Sequence, residues 1–262
     1  MSTFDEALAV HPDGNGIWRA HADPRCEANT GMFGGWTAAI LLKAILADAQ
    51  HHGEPIAVTT NFISRIIPGD DVTIGTTHLG GGRSLNNWRA DLYKTGENEI
   101  LSSAMVVMAS RRESDTFTEW NMPDAPAPDG LEIFHPRGTF GLSVEFRTVS
   151  GFPPINQPDT KSLHWIREAS GRAHDAVQLV YLADCFPPRV FYMSEAYRPS
   201  SSITMSVYLY ATADELSRIG GDDILSEVIG TRAEQSTAGA KLRFWSKDGA
   251  LIATSEQMCW FR

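Results

Sequence analysis

The chain has 262 residues, with 22 Lys and Arg against 32 Asp and Glu, giving a formal charge of −10. Apolar residues make up 42% and charged residues 21%, an ordinary globular mix, and at roughly 150 residues per domain the length suits one large domain or two small ones. The acid excess argues against a nucleic-acid partner, because no net positive field draws phosphates in, although a few local arginines could still hold a small polyanion.

No stretch reaches the roughly 18 uninterrupted apolar residues of a membrane span, so no membrane partner is expected. Residues 1–9 carry Asp5 and Glu6 and no basic segment, so they do not read as a secretory signal. Cys26, Cys185 and Cys259 are odd in number and far apart. That pattern fits neither a disulfide framework nor a zinc site and suits a reducing cytoplasm.

In chain order, Gly31 to Gly35 reads as a turn leading into a helix over 36–50. Its apolar residues, among them Trp36, Ile40 and Ile45, recur mostly at three and four. Strands are predicted over 56–66, 72–79, 85–94 and 99–110, separated by turns at Pro68-Gly69-Asp70, Gly80-Gly81-Gly82 and Thr95-Gly96-Glu97. A polar, proline-bearing stretch from about 113 to 130 reads as a linker. A strand over 141–149 comes next, then a loop with Pro153, Pro154 and Pro158. A second helix over 175–186 is stopped by Pro187-Pro188. Four more strands are predicted over 202–210, 224–234, 238–246 and 251–261, with an Asp-Gly hairpin turn at Asp248-Gly249.

Both halves thus run one apolar helix and then four strands, and residues 84–108 resemble 236–260. A period of roughly 150 residues is too long for a solenoid, so duplication of one α+β unit is the simpler reading. A helix covering one face of an antiparallel sheet buries that face, and two such units could pair their sheets edge to edge. The expected organisation is a first unit over 1–115, a linker over 116–135 and a second unit over 136–262.

Five segments carry a family resemblance: GMFGGWTAAILLKAI at 31–45, NFISRIIPGDDV at 61–72, LADCF at 182–186, SSITMSVYLY at 201–210 and KDGALIATSEQMCWFR at 247–262. Together, in this order and spacing, they make the chain resemble the acyl-CoA thioesterase II (TesB-like) family. The resemblance implies a double hot-dog α+β fold, acyl-CoA as substrate, no cofactor beyond the CoA carried by that substrate, and a homodimer or higher oligomer. It also implies that an Asp on the second helix, a Thr or Ser opening the following strand, and a Gln on the last strand position the attacking water. These roles fall on Asp184, Ser202 and Gln257.

The residues can be weighed independently. The helix before Asp184 is apolar nearly all round, so a carboxylate there is either a buried general base with a raised pKa or a solvent-facing residue near a helix end. Gln257 shares a strand face with Ala253, Ser255, Cys259 and Phe261; it can hold a water by donating and accepting, or merely edge a sheet. In the repeat, it falls opposite Met105, or Val106 with a one-residue slip, so only one competent site is expected. Strict alternation puts Ser202 on the polar face with Thr204, Ser206 and Tyr208, which counts against a buried role unless the strand start bulges; Ser201 is an alternative. Gly34 and Gly35 open the first helix, where unpaired N–H groups could stabilise an oxyanion or simply pack closely. Trp36 joins them in the substrate-binding set, and pocket depth would depend on Trp36, Trp88, Phe140, Trp165 and Trp245. Contacts to CoA phosphates could come from Arg83, Arg111, Arg112, Arg198 or Arg232.

Two rival functions follow from the same fold. One is a non-catalytic acyl-thioester or lipid-binding module. The other is a hot-dog enoyl-CoA hydratase, whose Asp/His pair would have to be His174 and Asp175, adjacent residues that point to different faces of a helix.

Overall fold

The computed structural model describes residues 2–151, 159–193 and 198–262; the loop expected around Pro153, Pro154 and Pro158 lies outside the described residues. Helix α1 (Thr3–Ala7) and strands β1 (His11–Pro12) and β2 (Ile17–His21) come first. A small hairpin, β3 (Glu27–Ala28) and β4 (Gly31–Met32), leads into helix α2 (Gly34–Ala47). Strands β5 (Glu54–Phe62), β6 (Asp71–Gly81), β7 (Leu85–Lys94) and β8 (Ile100–Ala109) follow. In the second half, β9 (Ile133–Phe134), β10 (Val144–Ser150) and β11 (Ser162–Glu168) precede helix α3 (Ala176–Leu182). The chain ends with β12 (Ser200–Leu209), α4 (Ala213–Ile219), β13 (Ile224–Glu234), β14 (Thr237–Trp245) and β15 (Leu251–Phe261).

All strands except β3 and β4 form a single sheet in the order β1-β2-β6-β7-β8-β5-β12-β15-β14-β13-β11-β10-β9. Counting outward from the β5–β12 contact, the halves repeat one pattern: the first strand after the helix, then the fourth, third and second, then the strand before the helix. The fold is the double hot-dog arrangement. In this sheet each unit therefore holds two strands more than the sequence pattern suggested, β1 and β2 in the first and β9 and β11 in the second. Strand β11 shows no alternation, because it is buried along nearly its whole length, His164 and Glu168 included.

The two sheets merge through antiparallel pairing of Asn61 to Ala57 with Thr204 to Tyr208. Here Val58 and Val207, both essentially inaccessible, face each other. Arg111, just past β8, locks one end of this seam: it pairs with Glu54 and donates to the carbonyls of Leu209 and Tyr210 at 2.8 and 2.9 Å.

Helix α2 is buried from Gly35 through Leu42 and again at Ala44 and Ile45. It packs against its own sheet and against α3, which explains why the stripe expected on one face widens to nearly the whole circumference. It starts at Gly34, two residues before the predicted start. The stretch expected to link the halves is not a free tether. The Trp165 indole donates to the Pro126 carbonyl at 2.8 Å, the Arg243 guanidinium lies 4.4 Å from the Trp120 ring centre, and Met122, Ala125 and Leu131 cover Trp165, Leu225 and Trp245.

The seam should be sensitive to lost volume. Val207→Ala removes two buried methyl groups opposite Val58, and the urea unfolding midpoint should report a loss of about 2–3 kcal/mol.

Candidate active site

The site forms where α2, α3, β12 and β15 converge. Helix α3 ends at Leu182, one turn short of its predicted end, with Ala183 as its C-cap. Asp184 follows directly, and Pro187-Pro188 prevents any continuation. The carboxylate is therefore set at the end of a buried helix and turned inward. The alternative of a solvent-facing Asp184 is not what the structure shows.

Three parts of the chain meet this carboxylate. The Gln257 Nε2 donates to Asp184 Oδ1, and also to Ser202 Oγ at 2.8 Å. An ionised carboxylate only accepts, so the amide must turn its nitrogen toward Asp184. Because Ser202 Oγ accepts from Gln257, its own proton remains available to donate, and the hydroxyl lies close enough to Asp184 to lower its pKa. The Gly35 N–H lies close enough to the carboxylate to lower its pKa, at the N-terminus of α2 where the helix dipole favours negative charge.

Burial dominates the electrostatics. It pushes the Asp184 pKa from 3.8 up to about 7, against the opposing pull of Gln257, the Gly35 amide and Ser202. That value places a carboxylate in the range where a general base works near neutral pH. Burial also pushes the neighbouring Cys259 thiol up to about 12.

Ser202 reaches the site through a backbone irregularity. It pairs with Cys259, but Thr204 pairs with Met258 and Met205 with Gln257, so one extra residue is accommodated between Ser202 and Thr204. A bulge of this kind shifts the alternation. Ser202 thus shares the inward face with Met205 and Val207, while Ile203 is exposed. The strict-alternation expectation for Ser202 fails at this one residue, and Ser201 is exposed. On the inward face of β8, the residue matching Gln257 in orientation is the buried Val106, not Met105, which is 42% exposed. The one-residue slip is thus the correct register.

Gly34 and Gly35 are required by space. A Cβ at Gly34 would lie 2.6 Å from Asp184 Oδ2, and one at Gly35 would strike the Phe33 ring and the Tyr181 carbonyl. Of the two N–H groups expected to meet an oxyanion, that of Gly35 lies against Asp184 and lowers its pKa. The Gly34 N–H has no acceptor among the described residues. Trp36 does not line the site: it is fully buried, and its indole N–H donates to the Ala7 carbonyl at 2.8 Å.

Asp184, Ser202, Gln257 and Gly34 all line one cavity of about 960 Å³ between the two halves. Phe33, Phe62, Phe140, Phe146, Phe186 and Phe191 supply much of its apolar wall. Of the aromatic residues expected to set its depth, only Phe140 lines it; Trp36, Trp88 and Trp245 are core residues, and Trp165 packs under the linker. None of the five arginines suggested by sequence lines it, and Arg111 and Arg232 are held in ion pairs with Glu54 and Glu234. Two others do line it, Arg65 and Arg137. His174 and Asp175 are elsewhere: His174 Nε2 bonds the Asp222 carbonyl, and Asp175 caps α3 and pairs with Arg172.

Residues 21–111 match the family model of the acyl-CoA thioesterase N-terminal domain, and residues 118–261 that of the acyl-CoA thioesterase C-terminal domain. The chain belongs to the acyl-CoA thioesterase family. Among solved structures, it is similar to a hot-dog-fold protein of unknown function from Alicyclobacillus acidocaldarius, with 27% identity and a TM-score of 0.95, covering 100% of this chain and 98% of the other. It shares its fold with a tesB protein of Mycobacterium avium subs paratuberculosis (20% identity, TM-score 0.82, covering 98% and 97%). The same holds for an acyl-CoA thioesterase II, TesB2, of Mycobacterium marinum (17% identity, TM-score 0.80, covering 99% and 98%). No curated protein matches the sequence. Among the described residues, no helix is long and apolar enough to cross a membrane.

The carboxylate's burial gives a pH signature. Asp184 has a folded pKa of about 7 against an ordinary 3.8, so between those values the folded state holds a proton that the unfolded chain has released. Stability is therefore lost as pH rises through this window. Asp184→Asn removes that loss, and its Tm relative to the unmutated protein should be higher at pH 8 than at pH 5. Thermal melts at the two pH values check this, and an unchanged difference would mean that the carboxylate ionises without penalty.

Proposed function

We propose that the protein hydrolyses an acyl-CoA thioester to a carboxylic acid and free CoA. The observation that carries this reading is the Asp184–Gln257–Ser202 cluster at the wall of a large, phenylalanine-lined cavity, in a chain of the acyl-CoA thioesterase family. In this reading, a water lies against the Asp184 carboxylate and is oriented by Ser202 and Gln257. Its oxygen attacks the thioester carbon while Asp184 takes its proton. The charge developing on the carbonyl oxygen is met by the Gly34 N–H. The tetrahedral intermediate then breaks its C–S bond, and the leaving thiolate recovers the proton from Asp184. No metal ion and no covalent enzyme intermediate enter this scheme.

The acyl group would lie among the phenylalanines, where burial of apolar surface rewards a hydrocarbon or aromatic chain. Because Asp184 must be ionised to accept a proton, kcat/KM should rise about tenfold per pH unit below about pH 7 and level off above it.

Thiol release from a series of acyl-CoA thioesters tests the reading directly. Asp184→Asn should lower kcat by roughly 10²- to 10⁴-fold and abolish the pH limb. Ser202→Thr, which keeps the hydroxyl, should retain activity, whereas Ser202→Ala should lose about tenfold, the effect of one hydrogen bond. Binding of acyl-CoA without any thiol release would instead identify a non-catalytic acyl-thioester module.

A further inference from the structure

The cavity differs in charge from the rest of the molecule. The chain carries 32 Asp and Glu, yet among the described residues Asp184 is the only acidic one lining this space, whereas Arg65 and Arg137 both line it. Among the described residues, neither arginine pairs with a carboxylate. Arginines elsewhere, such as Arg19, Arg25, Arg147 and Arg172, are held in ion pairs. Leaving two guanidinium groups unpaired at a concave surface of an acidic protein focuses a local positive field there.

Both arginines lie beside the small β3–β4 hairpin, one from each half of the chain, Arg65 against it directly and Arg137 through its neighbours Gly138 and Thr139. Arg65 follows β5 and lies along Gly31. A Cβ there would fall 2.9 Å from Arg65 Cγ and 3.0 Å from its Nε, and Gly31 has a φ of 146°, which a side chain would disfavour. The glycine thus gives the arginine stem a flat seat on β4. Arg137 belongs to the loop after β9, which is tied to the other strand of the hairpin. Thr139 Oγ1 donates to the Pro24 carbonyl at 2.5 Å and accepts from the Glu27 N–H at 3.0 Å, and Gly138 closes against the Glu27 carbonyl. The guanidinium-bearing residues are exposed, unlike the half-buried Asp184 at the other side of the cavity.

We propose that Arg65 and Arg137 form a two-residue phosphate clamp, contributed by both hot-dog units, that holds the phosphate groups of the CoA moiety while the thioester reaches Asp184. This rests on the acyl-CoA hydrolase reading. Guanidinium groups suit the task because they stay charged and grip phosphate oxygens in pairs. The clamp reads the part of the substrate remote from the reacting bond, so it contributes to capture of the substrate and not to the chemical step.

The test compares acyl-CoA with the matching acyl-pantetheine, which has the same thioester and no phosphate, using Arg65→Gln, Arg137→Gln and the double variant. With acyl-CoA, each single variant should raise KM about tenfold, the double variant by more, and kcat should hold. With acyl-pantetheine, all variants should match the unmutated protein, which also shows that they are folded. Raising the ionic strength should raise KM for acyl-CoA in the unmutated protein and much less in the double variant. An unchanged KM for acyl-CoA, or an equal loss on both substrates, overturns the clamp. A response confined to an acyl group delivered on a carrier protein overturns the assignment to CoA. Absence of hydrolysis of either substrate by the unmutated protein would instead remove the hydrolase reading itself.

Discussion

A carboxylate can sit inside this protein only because donors reach it from three directions, each from a different part of the chain. The amide of Gln257 comes from the last strand, the hydroxyl of Ser202 from the strand at the seam, and the Gly35 N–H from the start of the first unit's helix. Burial opposes the charge, and these donors offset only part of that opposition, so the group titrates near neutrality instead of in the acid range. The same balance that keeps Asp184 reluctant to ionise keeps it basic enough to take a proton from water.

The merged sheet is what brings the donors together. Gln257 and Ser202 lie on neighbouring strands, and β12 is also the strand that joins β5 of the other half. Helix α2 belongs to the first unit and Asp184 to the second, and α2 packs on α3 across the middle of the molecule. The duplicated units therefore do not each carry a site. On the inward face of β8, the position oriented like Gln257 is occupied by Val106, which offers no hydrogen bond to hold a charge or a water.

Much of this was legible in the sequence, for physical reasons that differ by element. The hairpin β14–β15 announced itself through Asp248-Gly249, and α2 through apolar residues recurring mostly at three and four. The Asp184 position was readable because a charge in an apolar helix needs a reason. Strand β11 was not, since a strand buried on both faces shows no alternation. Helix α4 was missed despite a capping box in which Thr212 and Glu215 cap each other's N–H groups, a signal the chain carries openly. Ser202 was misplaced by alternation because one extra residue beside it reverses the strand's sidedness. Arg65 and Arg137 were not distinguished from other arginines in the sequence: what singles them out is that the fold places them on the wall of the cavity.

The ends of the sheet have a consequence of their own. Joining β5 to β12 consumes one border of each unit, and the two borders that remain are closed by β1 and β9, strands of two residues each. One of these includes Pro12, which has no N–H to offer. Strand addition by another polypeptide therefore finds only a two-residue strand at each end of the sheet order, and β9 covers no more of β10 than Phe146 and Arg147.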